Sequence, residues 1–240
     1  MVKNTKTFLE QLIAVYHDLN NHLEESIRAA NRQYKEKSSE QVYTEEYLQK
    51  TLKQAIDKVT ADFQAKAADL NTQAKQRITA IKEKLVAHLM TAEKAPDYAV
   101  RVGNALSFLQ LEGPEITDAT AAQILKDFLR DIEIMQRFRS VIERQKGETL
   151  TDAYGNTTFP LTFGHLEKCE TLFECLADLE KLVDPLFIRK KAETEVEHFS
   201  GGLKLSVPMD SYSQQVGELS VVEQAGQVET MAAELTGAAN

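Results

Sequence analysis

Few residues in this sequence have the types and spacing of catalytic or metal-binding groups. The first candidate pair is His165 and Cys169. They are four residues apart, which on a helix places both side chains on one face. Such a pair could share a metal ion, but a metal needs two or more further ligands, and no other residue has matching local spacing. The pattern therefore predicts a histidine near a helix start and a core cysteine.

The second cysteine, Cys175, lies six residues after Cys169. On a helix this separation turns the two side chains in different directions, so a disulfide between them is not expected. We predict two buried thiols.

A second candidate is the Glu195-x-x-His198 motif. The ferritin-like di-iron site needs this motif on two helices and two further glutamates. The sequence has one copy, in a highly charged segment. It therefore predicts a solvated helix face and no metal.

Motifs for nucleophilic and nucleotide chemistry are absent from the sequence. There is no Gly-x-Ser-x-Gly, no phosphate-binding glycine loop and no Gly-x-Gly-x-x-Gly. The two cysteines also lack the basic neighbours that lower a thiol pKa. The sequence therefore predicts neither an enzyme nor a bound cofactor.

The net charge of −9 is uneven along the chain, because all of the excess acid follows Gly147. No region has the excess of Lys and Arg that phosphate neutralisation requires, so we expect no direct nucleic-acid partner. No run approaches the roughly 20 apolar residues of a membrane-spanning helix, and no secretory signal is visible. A soluble protein of the cytoplasm, or one packaged in a virion, is expected.

The first 95 residues contain neither glycine nor proline, since the first are Pro96 and Gly103. This absence excludes turn-rich folds. An apolar stripe with repeating steps of 4, 4 and 3 residues runs through the second half of this segment. Its members are Leu48, Leu52, Ile56, Val59, Phe63, Ala67, Leu70, Ala74, Ile78, Ile81, Leu85, Leu89 and Ala92. Eleven residues in three turns keep the stripe nearly straight along a helix.

The preceding segment, from Phe8 to Tyr34, has the same period, and residues 37–43 interrupt it. We predict helices over about 6–37 and 44–93, forming an elongated antiparallel hairpin or coiled coil in a domain of residues 1–95. An amphipathic helix in a globular bundle is the alternative. The large stripe residues are the predicted interaction residues: Leu48, Leu52, Ile56, Val59, Phe63, Leu70, Ile78, Ile81, Leu85 and Leu89.

The apolar pattern of residues 96–202 predicts a smaller helical domain. A short helix closes at Gly113-Pro114, a longer one runs from a cap at Thr117 or Asp118 to Gly147, and others reach Val183 and Phe199. Between Gly147 and Gly164 the apolar period changes to two, which predicts a short β-hairpin near 148–163.

In residues 203–240, the alternation of apolar residues predicts a short strand at Leu203–Met209, and the composition predicts a flexible acidic tail after it. Its Met231 and Leu235 are further candidate interaction residues, because such a tail could fold on a partner.

Together these patterns predict a mainly all-α chain and a non-enzymatic structural or assembly protein. Its expected partners are proteins, including further copies of itself. The general layout is similar to that of scaffolding and virion-associated proteins of tailed phages, although no motif carries that similarity. The alternative is a compact helical binding module or toxin-like effector.

Overall fold

The structure is a computed structural model that describes residues 4–90, 95–187, 194–197, 202–205 and 211–236. These parts are mainly helical, which confirms the predicted all-α class. The α-helices are α1 (Thr5–Ser39), α2 (Glu45–Met90), α3 (Tyr98–Glu112), α4 (Asp118–Leu125), α5 (Ile132–Lys146), α6 (Pro160–Val183) and α7 (Ser211–Thr236). A 3₁₀ turn, Gly113–Glu115, follows α3.

The chain divides into two compact units. We call the first the hairpin unit, formed by Asn4–Ile78 and Asp178–Gly226. We call the second the bundle unit, whose described residues fall within Thr79–Ala177 and Gln227–Asn240.

Within the hairpin unit, α1 and α2 run antiparallel. Near the start of α1, the Arg77 guanidinium lies 5.7 Å from the centre of the Phe8 ring. Further along, the rings of Tyr16 and Phe63 are 5.9 Å apart. As residue numbers increase along α1, the numbers of the contacting residues in α2 therefore decrease. The two helices form the hairpin, and coiled-coil packing stays a prediction.

The 4, 4, 3 stripe of α2 is buried inside this single chain. Its buried members are Leu48, Leu52, Ile56, Phe63, Ala67, Leu70, Ala74, Ile78, Ile81, Leu85 and Leu89, each at most 7% exposed. Val59 is half-buried, and Ala92 lies outside the described residues. The helix has 46 residues and is about 69 Å long. Because the repeat extends from Leu48 to Leu89, the helix buries apolar side chains along nearly all of this length.

In the bundle unit, the helix predicted between Thr117 and Gly147 is two helices. Thr117 does cap α4, by accepting a hydrogen bond from the Thr120 backbone N–H, and Gly147 ends α5 with φ of 68°. The break follows α4 because the buried Asp131 side chain accepts a bond from the Ile134 N–H and so starts a new helix.

The short β-hairpin predicted near 148–163 is not supported. This segment has one isolated bridge, between Thr151 and Thr157. Its apolar end begins α6 at Pro160, and the rings of Phe159 and Phe163 lie 6.4 Å apart, one helical turn from each other. Proline favours the first turn of a helix, so the segment joins α6.

Two short strands, β1 (Thr194–Glu197) and β2 (Gly202–Leu205), pair antiparallel. The last predicted helix, reaching Phe199, is therefore wrong over β1. Where the sequence predicted a flexible acidic tail, the structure has α7. Its buried positions Val221, Ala225, Val228 and Ala232 follow a helical spacing.

Candidate functional site

The His165 and Cys169 side chains do meet on α6, with 3.6 Å between Cys169 Sγ and His165 Nε2. Burial, with a smaller effect from the Glu170 charge, raises the pKa of the Cys169 thiol to about 11. Burial also lowers the pKa of His165, and the positive charges of Arg130 and Lys168 act in the same direction. Both groups are therefore held neutral at pH 7, and the pair is not an activated thiolate with its imidazolium.

Within the described ranges, no group of three or more His, Cys, Asp or Glu side chains could hold a metal ion. Of the predicted Glu195-x-x-His198 motif, Glu195 lies in β1 and His198 falls outside the described residues.

Asp118 joins two helices of the bundle unit. Its carboxylate accepts hydrogen bonds from the N–H groups of Leu161 and Thr162, at 2.8 and 3.0 Å, and from the Thr162 hydroxyl at 2.7 Å. Asp118 itself lies in the first turn of α4. Through these hydrogen bonds it also caps the start of α6. These bonds satisfy donors that the first turn of a helix leaves open, so the cluster is structural.

A second polar cluster joins α3 to the start of α5. The hydroxyl of Tyr98 donates to Asp131 Oδ2, while Asp131 Oδ1 caps α5. Burial and the hydrogen bond to Asp131 raise the pKa of Tyr98, so its hydroxyl stays protonated. Beside it, Arg101 pairs with Asp127 and lies over the Phe128 ring. All of these groups have partners within the bundle unit.

The predicted interaction residues Met231 and Leu235 come together in a groove of the bundle unit. The groove has a volume of about 370 Å³, and both side chains are half-buried. Asn156, Glu167, Lys168, Thr171 and Glu234 complete its lining.

A groove of about 440 Å³ lies in the hairpin unit, along α2 between Phe63 and Thr72 and against Phe187. Asn71 borders it and donates hydrogen bonds to the carbonyls of Val183 and Asp184, at 3.2 and 3.1 Å. Because these carbonyls end α6, Asn71 acts as a side-chain cap for that helix.

The other predicted interaction residues form the buried stripe of α2, apart from the half-buried Val59. Those up to Ile78 are core positions of the hairpin unit, whereas Ile81, Leu85 and Leu89 are core positions of the bundle unit. A partner could reach them only if the helices separated, and their interaction role stays a prediction.

Two exposed apolar surfaces were not predicted from the sequence. The first, which we call the hairpin tip, consists of Val42 and Tyr43 in the turn between α1 and α2 and of Tyr47 at the start of α2. Val42 is 74% exposed, and the tyrosine rings stack with centres 5.4 Å apart. Tyr43 and Val42 were interpreted only as the segment that breaks the repeat. The signal was their size and apolar character within a turn.

The second missed surface, which we call the α3 face, lies on the outer side of α3 and carries the exposed Val100, Phe108 and Leu111. The opposite side of the helix buries Ala105 and Leu109. The sequence predicted the helix that closes at Gly113-Pro114 but not this exposed apolar side, although its residues recur with a helical spacing.

Comparison of the chain with protein-family models, with curated proteins and with solved structures gave no match. In the described parts of the chain, every helix is too short or too polar to cross a membrane.

Proposed function

We propose that this protein is a non-enzymatic structural or assembly protein that oligomerises or spaces protein partners through its helical hairpin. The observation that carries the proposal is the contrast between a closed apolar stripe and large apolar side chains that stay exposed. The stripe of α2 is buried within one chain, whereas the hairpin tip and the α3 face present aromatic and aliphatic groups to solvent.

The hairpin suits a spacing role because its stability does not depend on a partner covering the stripe. The exposed positions between the stripe residues do not pack in the core. Many of them are charged residues, such as Lys53, Asp57 and Lys66. Charged outer faces keep a long helix soluble. The hairpin can then present its tip to a partner while its own core stays covered.

Exposed aromatic residues support protein contacts in particular. Tyrosine combines a large apolar ring with a polar hydroxyl and is enriched where protein interfaces are well packed. Tyr43 and Tyr47 stack on each other and are thus partly ordered before any partner binds. Preordering lowers the entropic cost of association.

Assembly of a virion is one setting for such a protein, in keeping with the layout similarity to phage scaffolding proteins. The alternative function, a compact binding module or toxin-like effector, would instead place a ligand in one of the two grooves described above.

Photo-crosslinking tests the proposal. A photoreactive amino acid is placed at Tyr43 in the tip, at Phe108 in the α3 face, or at Gln76, an exposed polar position on α2 that serves as the control. In the cells that make the protein, we expect discrete protein adducts from Tyr43 and Phe108, well above those from Gln76. Adduct yields equal to the control at both apolar positions would contradict the proposal.

A further inference from the structure

We infer that the α3 face binds a second copy of this chain, with the two α3 helices antiparallel. The inference deepens the proposed assembly function and rests on it. The face consists of Val100, Gly103, Asn104, Ser107, Phe108 and Leu111, which are all exposed. Their spacing of 3, 1, 3, 1 and 3 residues places them on one side of the helix.

The face is apolar enough to favour burial. Leu111 is 81% exposed, Val100 is 64% exposed and Phe108 is 57% exposed. Three large apolar side chains clustered along a helix of 15 residues mark an interaction site rather than the scattered apolar residues of an ordinary surface.

Charge is the first reason to choose a second copy as the occupant. The six residues of the face include no ionisable side chain. The Arg101 guanidinium, on the flank, is already paired with Asp127. Two identical faces can therefore meet without burying an unpaired charge or opposing like charges, which is the usual obstacle to self-association of an acidic chain.

Size and polarity are the second reason. In an antiparallel pair related by a two-fold axis, each residue meets a position of the other copy in reverse order. With the axis passing between Ala105 and Leu106, Val100 meets Leu111, so apolar side chains face each other at both ends.

The same register pairs the central residues. Gly103 meets Phe108, which sets the smallest residue against the largest, and Asn104 meets Ser107, which sets polar against polar. The face is thus complementary to itself in one specific register.

The presence of glycine at position 103 is explained by this pairing and not by packing within its own chain. Glycine within a helix lowers helix stability. A Cβ at this position would meet no atom within 4 Å, so nothing within the chain requires glycine there. The Ser107 hydroxyl bonds back to the Gly103 carbonyl at 3.0 Å and stays close to the helix. A hollow remains, and the Phe108 ring of the second copy can enter it.

The test uses the full chain with charge changes that pair only in the proposed register. Sedimentation equilibrium measures self-association of the native chain, of Val100→Lys, of Leu111→Glu and of an equimolar mixture of the two variants. Both substituted positions are exposed, so the fold is expected to persist, and circular dichroism checks this. Leu219→Glu is the matched control, because Leu219 is an exposed leucine on another helix, α7.

We expect each single variant to associate at least about tenfold more weakly than the native chain, because a charge then faces an apolar side chain. Leu219→Glu should match the native chain. In the mixture, the lysine introduced into one chain meets the glutamate introduced into the other, so heterodimers should recover most of the native affinity.

Other results overturn the inference. If the native chain associates and the single variants associate equally well, the contact lies elsewhere, while the proposed assembly function stands. If the single variants are weakened but the mixture is not rescued, the antiparallel register is wrong. A native chain that remains monomeric contradicts both this inference and self-assembly as part of the proposed function.

Discussion

Among single residues, Asp118 and Asp131 of the bundle unit act as helix caps. Asp118 shows this most clearly, because one carboxylate accepts three hydrogen bonds at the start of α6. The sequence predicted a cap at Thr117 or Asp118, since both precede a strong apolar stripe. It could not predict that Asp118 also bonds Leu161 and Thr162, because the fold brings those positions to it from a distant part of the chain.

Replacing Asp118 by alanine should therefore destabilise the protein. The N–H groups of Leu161 and Thr162 would lose their acceptor, and the hydroxyl of the buried Thr162 would lose one too. We expect the free energy of unfolding to fall by about 1–3 kcal/mol, measured by urea denaturation. Glu115→Ala removes an exposed acid nearby and should change it by less than about 0.5 kcal/mol. Equal effects from the two substitutions would show that the capping account is wrong.

Cys169 should be chemically inert in the folded protein. Its thiol is buried, and its raised pKa keeps it protonated at neutral pH. With iodoacetamide at pH 8, mass spectrometry should find the half-buried Cys175 modified well before Cys169, and both should react after unfolding. His165→Ala should leave this order unchanged. Rapid modification of native Cys169 that depends on His165 would instead identify an activated thiol.

The same thiol gives a pH dependence with a defined sign. Its pKa rises from 9.0 in the unfolded chain to about 11 in the folded one, so the folded state binds the proton more tightly. The contribution to stability is fully present below pH 9 and is lost as the pH rises toward 11. Cys169→Ser should remove this part of the alkaline slope in urea denaturation curves.

At the scale of elements, the period of the apolar residues predicted the long helices well. The predicted helices over 6–37 and 44–93 correspond to α1 and α2, because a repeat held over four periods leaves one way to bury the stripe. The prediction was weaker where buried side chains are small. In α7, the buried Ala225 and Ala232 carry little hydrophobic signal, so the helix was interpreted as a loose tail.

Burial of the α2 stripe predicts the effect of a charge introduced into it. Leu70→Asp and Ile81→Asp each place a carboxylate at a position no more than 6% exposed. The free energy of unfolding should fall by about 3 kcal/mol or more, with loss of helical circular dichroism, even at dilutions where chains do not associate. Gln76→Asp, on the exposed side of α2, is the control and should keep native helicity. Full stability of both buried variants would contradict the closed stripe.

At the scale of the whole molecule, the net charge of −9 opposes association of copies, whereas the α3 face carries no charge. Added salt screens the repulsion between chains and leaves an apolar contact intact. Self-association should thus stay constant or strengthen as ionic strength rises. Weakening by salt, observed by light scattering, would show that ionic contacts hold the assembly together.

We propose that this chain assembles through apolar surfaces that lie outside its closed core. The most direct measurement is the molar mass of the native protein by light scattering over a wide range of concentrations. We expect a mass that rises with concentration from 27.0 kDa toward twice that value or more. A mass that stays at 27.0 kDa at every concentration would contradict it.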